Sequence, residues 1–179
     1  MNILVNNRKT DFSNDDFPML ISGACKTGTS FFSVCLLADL LTSGKKVLLF
    51  SAYPAAKEAF REQIASNQEN AFIIESGEEQ VFIDTIKEVP DLHERIILIK
   101  NIENYSEKIF NAVKDLKLVI FSGDLDKCSF YDKLIEKYFA SKIFFSQSEK
   151  YPQKELGDLQ KYVGRIISSS YKGEVKLDE

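Results

Sequence analysis

The residues best suited to chemistry lie together near the N-terminus, in the stretch GACKTGTS at 23–30. Gly23 and Gly28 have the spacing G-x-x-x-x-G-K-[ST] of a loop that cradles phosphate with its backbone N–H groups. Thr29 and Ser30 occupy the last two positions, so the hydroxyl is present and the lysine is missing. Orphan amides and the dipole of a following helix favour an anion at such a loop, and neither property needs the lysine. The lysine would add a cation against the β- and γ-phosphates, where charge develops during phosphoryl transfer. Lys26, inside the loop, is placed either to reach a phosphate from another direction or to sit in solvent. Two readings stay open. One is an intact cradle formed by Gly23, Lys26, Gly28, Thr29 and Ser30, with Ser30 at the Mg²⁺-ligand position; the other is an empty loop kept for structure. The cofactor expectation is ATP with Mg²⁺, bound weakly or not at all.

Hydrolysis also needs an acid at the end of a neighbouring apolar strand to hold the metal shell, usually with a second acid to polarise water. In IILIKNIEN those places are taken by Lys100 and Asn101, with Glu103 two residues further on and its direction left open. Lys100 replacing the loop lysine electrostatically is the less favoured alternative to simple loss of catalysis. The next apolar run ends in Ser122, Gly123 and Asp124. Asp124 and Asp126 read as caps or solvated turns before they read as metal ligands. Arg61, Arg95 and Arg165 are the candidate fingers for a neighbouring subunit, with a surface role as the default. No catalytic residue and no metal ligand set is assigned.

Composition narrows the classes further. The chain has 179 residues, enough for one full core and short for two, and one domain spanning 1–179 is expected. The net charge of −4 argues against a generic nucleic-acid binder. Three cysteines (Cys25, Cys35 and Cys128) and a single His93 lack metal-ligand spacing, and their odd number suits a reducing compartment. Cys35 reads as a small core hydrophobe. No apolar run reaches the length of a membrane span, so a cytoplasmic location is expected, either of the whole protein or of a domain of a membrane-anchored one.

The elements that must position the loop follow from apolar patterning. Residues 19–21 form a short buried strand, and an apolar stripe from Phe31 to Leu41 forms a helix ended by Gly44. Strands are expected at 47–50, 96–99, 118–121 and 143–145, with shorter candidates at 3–5 and 72–74. Helices are expected at 54–64, 81–89, 106–114, 131–139 and 153–162. The segment 6–16 reads as a polar loop, and 165–177 as a hairpin turning at Lys172 and Gly173. Phe139, Phe144 and Phe145 read as core, the acidic run 75–79 as a solvated turn, and Tyr151, Tyr162 and Tyr171 as packing before partner surface. Alternating strands and helices imply an α/β fold, a mostly parallel sheet covered on both faces.

On the stretches DFPMLISGACKTGTSFF, KKVLLFSAYPAAKEAF, RIILIKNIEN and LKLVIFSGDLDKCSFYDKLIEKYFASKIFFSQ, the chain resembles the FtsK/SpoIIIE branch of the RecA-like (HerA/FtsK) P-loop ATPases. Its final stretch YVGRIISSSYKGEVKL is similar to the segment closing such domains. Within the branch it is most similar to the degenerate C-terminal ATPase domain of the type VII (Esx) secretion membrane ATPase, through the apolar strand before Gly123-Asp124 and the YD-x-L stretch at 131–134. The resemblance implies a three-layer RecA-like fold with a C-terminal hairpin, and a module of a hexameric machine serving substrate recognition, assembly or regulation. Its implied partners are other ATPase domains of the machine, small helical secreted proteins and further copies of the chain. Departures at Thr29, at Lys100 and Asn101, and at 122–124 set it apart from active members. Alternatives are an active ATPase using Lys26, a small kinase, and an initiator- or loader-type AAA+ relative; the closing hairpin disfavours the last.

Overall fold

The parity of four apolar strands decides how this molecule is layered. In the computed structural model, which describes residues 3–53, 58, 60–151, 156, 157, 159, 160 and 162–178, β3 (Met19–Ser22), β4 (Val47–Phe50) and β6 (Ile96–Lys100) are buried along their whole length, as is β7 (Val119–Gly123) except at its last residue. Successive side chains of a strand point to opposite faces. Met19, Ile21, Val47, Leu49, Ile96, Leu98 and Ile120 accordingly join one core, while Leu20, Leu48, Phe50, Ile97, Ile99, Val119 and Phe121 join the other. A strand buried on both sides has no polar face, which is why these runs read as continuous hydrophobics.

The remaining strands are β1 (Ile3–Val5), β2 (Arg8–Lys9), β5 (Ala71–Ile74), β8 (Ser141–Phe144), β9 (Gly164–Ser168) and β10 (Lys172–Leu177). One sheet holds all ten in the order β2-β1-β10-β9-β8-β3-β7-β6-β4-β5. From β8 to β5 every pairing is parallel, and from β9 outward every pairing is antiparallel. The expected C-terminal hairpin is β9–β10, and the short strand at 3–5 pairs with its outer side.

Helix α1 (Thr29–Thr42) covers one face through Phe32, Val34, Leu36, Leu37, Leu40 and Leu41, joined by α2 (Arg61–Ser66) through Ile64. The other face carries α3 (Glu79–Thr85), α4 (Glu107–Val113) and α5 (Lys133–Glu136), represented in its core by Phe82, Ile109, Val113 and Ile135. Helices on both faces of a largely parallel sheet give the expected three layers. Burying each of these large side chains contributes about 1.5–3 kcal/mol, so the two cores dominate the stability of the fold. Glu79 ties α3 to the start of α4, accepting hydrogen bonds from the Ser106 N–H at 2.6 Å and the Ser106 Oγ at 2.7 Å.

Several segments differ from their sequence-based reading. Residues 6–16 contain β2 and a 3-10 turn at Asn14–Asp16, where Asp16 is buried and accepts from the Ser13 N–H at 2.8 Å. The helix expected over 54–64 lies partly outside the described residues, which resume it as α2. The helix expected over 131–139 is only the single turn α5. Most of the helix expected over 153–162 lies outside the described residues, and Tyr162 sits in a turn at φ 65°. Cys35 is half-buried, not fully in the core. No described helix is long and apolar enough to cross a membrane.

Candidate functional site: a phosphate cradle with its cation on a neighbouring strand

Beyond the C-terminal ends of β3, β6 and β7 lies a cavity of about 670 Å³, within the common range of roughly 300–1,000 Å³ for small-molecule sites. Its position outside the carboxyl ends of parallel strands is where open α/β sheets generally bind ligands. Gly23, Lys26, Gly28, Thr29 and Ser30 all line it, so the structure brings the five candidate residues of the loop to one place.

The loop is held in shape by its own small residues. The Gly23 N–H donates to Gly123 O at 3.1 Å, and the Ala24 N–H to Ser146 Oγ at 2.9 Å. Thr27 Oγ1 donates to Ala24 O at 2.8 Å and lies 3.1 Å from Thr29 Oγ1. Thr27 spends its single proton on Ala24, so Thr29 is the donor between the two hydroxyls. Thr29 is buried, and a Cβ built on Gly23 would run into Thr29 Oγ1 and Thr27 Oγ1. The residue in the lysine position thus braces the loop from beneath. Gly28 turns the chain at φ 108°, a conformation that favours glycine, and Lys26 takes the left-handed φ of 69°. The first intrahelical bond runs from the Phe32 N–H to Gly28 O at 2.9 Å. The amides before it, from Gly28 to Phe31, lie ahead of the helical ladder at the positive end of the α1 dipole.

Lys100 reaches this cavity from β6. It follows Ile96 and Leu98 on alternate positions, so it shares their face, the one covered by α1. Its residue exposure is 5%, it lines the cavity, and no hydrogen bond or ion pair of its ammonium is found among the described residues. Burial pushes its pKa below the ordinary lysine value, with no neighbouring carboxylate to offset that cost. Asn101, in the left-handed region at φ 59°, lines the cavity as well, and its side-chain oxygen is buried without a hydrogen-bond partner among the described residues.

The acids nearby are already engaged. Glu103 lines the cavity, and its Oε2 accepts the Asp124 N–H at 3.0 Å. Gly123 permits that approach, since a Cβ there would meet Glu103 Oε2. Asp124 caps the turn that follows β7, accepting from the Asp126 N–H at 3.2 Å, and pairs with Lys127 at 2.9 Å. That hydrogen-bonded pairing holds the Lys127 pKa above its ordinary value. Asp126 accepts from Ser148 Oγ at 2.7 Å and the Glu149 N–H at 3.0 Å, in agreement with the cap-and-turn reading of both aspartates. Arg95 is buried beneath the sheet edge, donating to Pro90 O, Val47 O and Asn70 O, and Arg165 donates to Leu156 O. Neither lines the cavity, and nor does Arg61.

These donors separate the two groups that the fold implies. Polyphosphate fits: helix amides, the Ser30 hydroxyl and the Lys100 ammonium converge on one cavity. The usual magnesium arrangement is altered: a cation stands at the strand end where its acid would be, and the two carboxylates that line the cavity are held by other groups, Glu103 by the Asp124 N–H and Asp124 by Lys127 and the Asp126 N–H. Among the described residues there is no group of three or more His, Cys, Asp or Glu able to hold a metal.

Residue patterning did not reveal the rim. Phe31, Tyr53 and Tyr162, exposed at 54%, 54% and 58%, all line the cavity. Tyr162 comes from the segment before β9 and packs on the loop, its Cδ1 3.0 Å from where a Cβ on Gly28 would stand. The chain order offers no signal for this, because only the sheet topology brings the two together. The other two tyrosines near the C-terminus pack, Tyr151 against Phe144 and Tyr171 against Phe12.

Solved structures share this architecture. The genome packaging NTPase B204 from Sulfolobus turreted icosahedral virus 2, in complex with AMPPCP, matches at a TM-score of 0.62 and 15% identity, covering 93% of this chain and 100% of that one. Its complex with AMP matches at 0.61 and 14%, covering 94% and 99%. A DnaB-like replicative helicase, described with its interactions with primase, matches at 0.52 and 11%, covering 90% of this chain and 56% of that one. No protein-family model and no curated protein matches the chain. The protein has a RecA-like P-loop NTPase fold.

Proposed function

We propose that the chain is a nucleotide-binding, non-hydrolysing P-loop domain serving a motor-like machine, with Gly23, Lys26, Gly28, Thr29 and Ser30 forming its phosphate site. The observation that carries this reading is the cavity itself. It keeps the backbone cradle and a cation, and the strand-end positions where hydrolysis requires acids carry Lys100 and Asn101. An empty structural loop gives no reason to bury an unpaired lysine beside it. The nucleotide complexes of B204, which shares the fold, support the same reading. Within that class, the strand ending in Gly123-Asp124 and the YDKL stretch favour a degenerate ATPase domain of a type VII secretion system. Its partners would be other ATPase domains of the machine, small helical secreted proteins and further copies of the chain.

Calorimetry with ATP, paired with a hydrolysis assay, tests the proposal. Micromolar binding without turnover is expected. Turnover that disappears in Lys26→Ala would reassign the site to an active ATPase with Lys26 as its working cation. Pull-down with small helical secreted proteins tests the narrower assignment, and consistent failure counts against it.

A further inference from the structure

We propose that this cavity is a magnesium-independent polyphosphate site, in which Lys100 supplies from β6 the positive charge that the loop lacks at Thr29. The inference rests on the nucleotide-binding reading above and goes beyond it by naming the ionic form of the ligand. It concerns binding alone; no bond is made or broken.

Three independent features of the chain converge on it. The first is direction. Lys100 continues the alternation of Ile96 and Leu98, so its side chain is committed to the face of the sheet that carries α1. The α1 N-terminus and the loop before it line the same cavity from above that face. The second is burial without compensation. The residue is 5% exposed and lines the cavity, and no described side chain or carbonyl forms a hydrogen bond with its ammonium. Such a group is expensive unless an anion joins it. The third is exclusion of the usual arrangement. Thr29 is turned under the loop and hydrogen-bonded to Thr27, while the strand-end position that would hold a metal through an acid carries the cation instead.

One consequence separates this site from a metal-dependent one. A divalent ion would have to share the phosphates with the Lys100 ammonium, without a strand-end acid to hold its shell. The free polyphosphate carries more negative charge than its magnesium complex and meets the Lys100 ammonium and the helix amides, while the Glu103 and Asp124 carboxylates of the same cavity are held by the Asp124 N–H and by Lys127. Magnesium should therefore leave binding unchanged or weaken it. The charge is fixed to a buried strand and not to a flexible loop, so the site is pre-organised and needs no metal to assemble it.

The experiment is calorimetric titration of the full chain with ATP, and separately with inorganic tripolyphosphate, in excess EDTA and in millimolar Mg²⁺. The variants are Lys100→Met, Lys100→Arg and Lys45→Met. Expected results are binding in EDTA at least as tight as in Mg²⁺, and a loss of roughly 10–100-fold in Lys100→Met, the scale of one charge-assisted hydrogen bond. Lys100→Arg should recover part of that loss, and the exposed control Lys45→Met should behave as the parent. Circular dichroism and melting temperature establish that Lys100→Met is folded. Tripolyphosphate binding with the same Lys100 dependence ties the effect to the phosphates; ATP binding without it places recognition on the aromatic rim and overturns the proposal. Binding that requires Mg²⁺, or that is unchanged in Lys100→Met, also overturns it while leaving nucleotide binding intact. Absence of any binding by the parent chain overturns both this inference and the function proposed above.

Discussion

Ending a buried strand on lysine sacrifices hydration, and the neighbours of Lys100 do nothing to replace it. Burial alone lowers its pKa from the ordinary 10.5, so between the lowered value and 10.5 the unfolded chain holds a proton that the native chain has released. Stability must then rise with pH across that interval, and below it the native state carries the full cost of the buried charge. Lys46 and Lys127, whose pKa values are raised by hydrogen bonds to Glu94, Asp91 and Asp124, act with the opposite sign and lose their contribution as pH climbs. The difference between parent and Lys100→Met isolates the buried group. Without ligand, Lys100→Met should be more stable at pH 7 by about 1–2 kcal/mol, a gain of the size commonly obtained when a functional liability is removed. For a chain of this length that is a melting temperature higher by roughly 2–8 °C. The gain should shrink as pH approaches 10. Thermal unfolding of both proteins from pH 7 to 10 measures it, and a variant less stable than the parent would mean that Lys100 has a structural partner.

At the scale of elements, the loop between β3 and α1 depends on backbone conformation more than on side-chain chemistry. Gly28 and Gly44 both have positive φ, 108° and 82°, so alanine at either position takes on a similar conformational penalty of about 1 kcal/mol. They differ in surroundings. A Cβ at Gly44 meets nothing within 4 Å, whereas one at Gly28 stands 3.0 Å from Tyr162 Cδ1 and 3.8 Å from Phe145 Cδ1. Gly44→Ala should cost only its backbone term and leave ATP affinity alone. Gly28→Ala should destabilise by about 1–3 kcal/mol, the backbone penalty plus the crowding against Tyr162, and weaken ATP at least tenfold, since the amides of the cradle move with it. Denaturant unfolding and calorimetry on the two variants make the comparison; equal ATP affinities would show that the loop is not the binding element.

The same contrast explains what the chain order could and could not disclose. The β-strands at 19–22, 47–50 and 96–100 are legible because burial on both faces leaves no polar position to interrupt them. Thr29 and Lys100 are legible as departures from a phosphate-loop pattern. Their joint meaning is not, because the parity that turns Lys100 toward α1 acquires significance only once α1 is known to lie on the Ile96–Leu98 face. Tyr53 and Tyr162 reach the rim through the strand order, which places the ends of β4 and the approach to β9 around the loop. The 131–139 reading fails for a different reason: its aromatic residues satisfy a helical period, but Tyr138 and Phe139 are spent packing against Phe110 and Phe121 beyond a single turn.

Across the whole molecule the charge is negative while the cavity is built for an anion, and these two facts predict opposite responses to salt. Acidic residues outnumber basic ones by 27 to 23, so the long-range field repels polyanions. That repulsion acts over a screening length of about 10 Å at 0.1 M salt and weakens as salt is added. Inside the cavity, Lys100 at 5% exposure and the α1 amides act at contact distance, where screening is slight. ATP affinity should therefore change less than about threefold between 50 and 200 mM NaCl, the two effects partly cancelling. A protein that holds polyanions on an exposed basic surface through 6–10 phosphate contacts instead loses about 10³–10⁵ in affinity over that range. A single-stranded oligonucleotide meets a chain of net charge −4 and should bind more weakly than about 10⁻⁴ M, the weak end of non-specific nucleic-acid binding at physiological salt. Calorimetry for ATP and fluorescence anisotropy for the oligonucleotide at both salt concentrations measure the two responses. Tight oligonucleotide binding with a steep salt slope would locate a basic surface outside the cavity and count against the Lys100 site as the principal anion receptor of this fold.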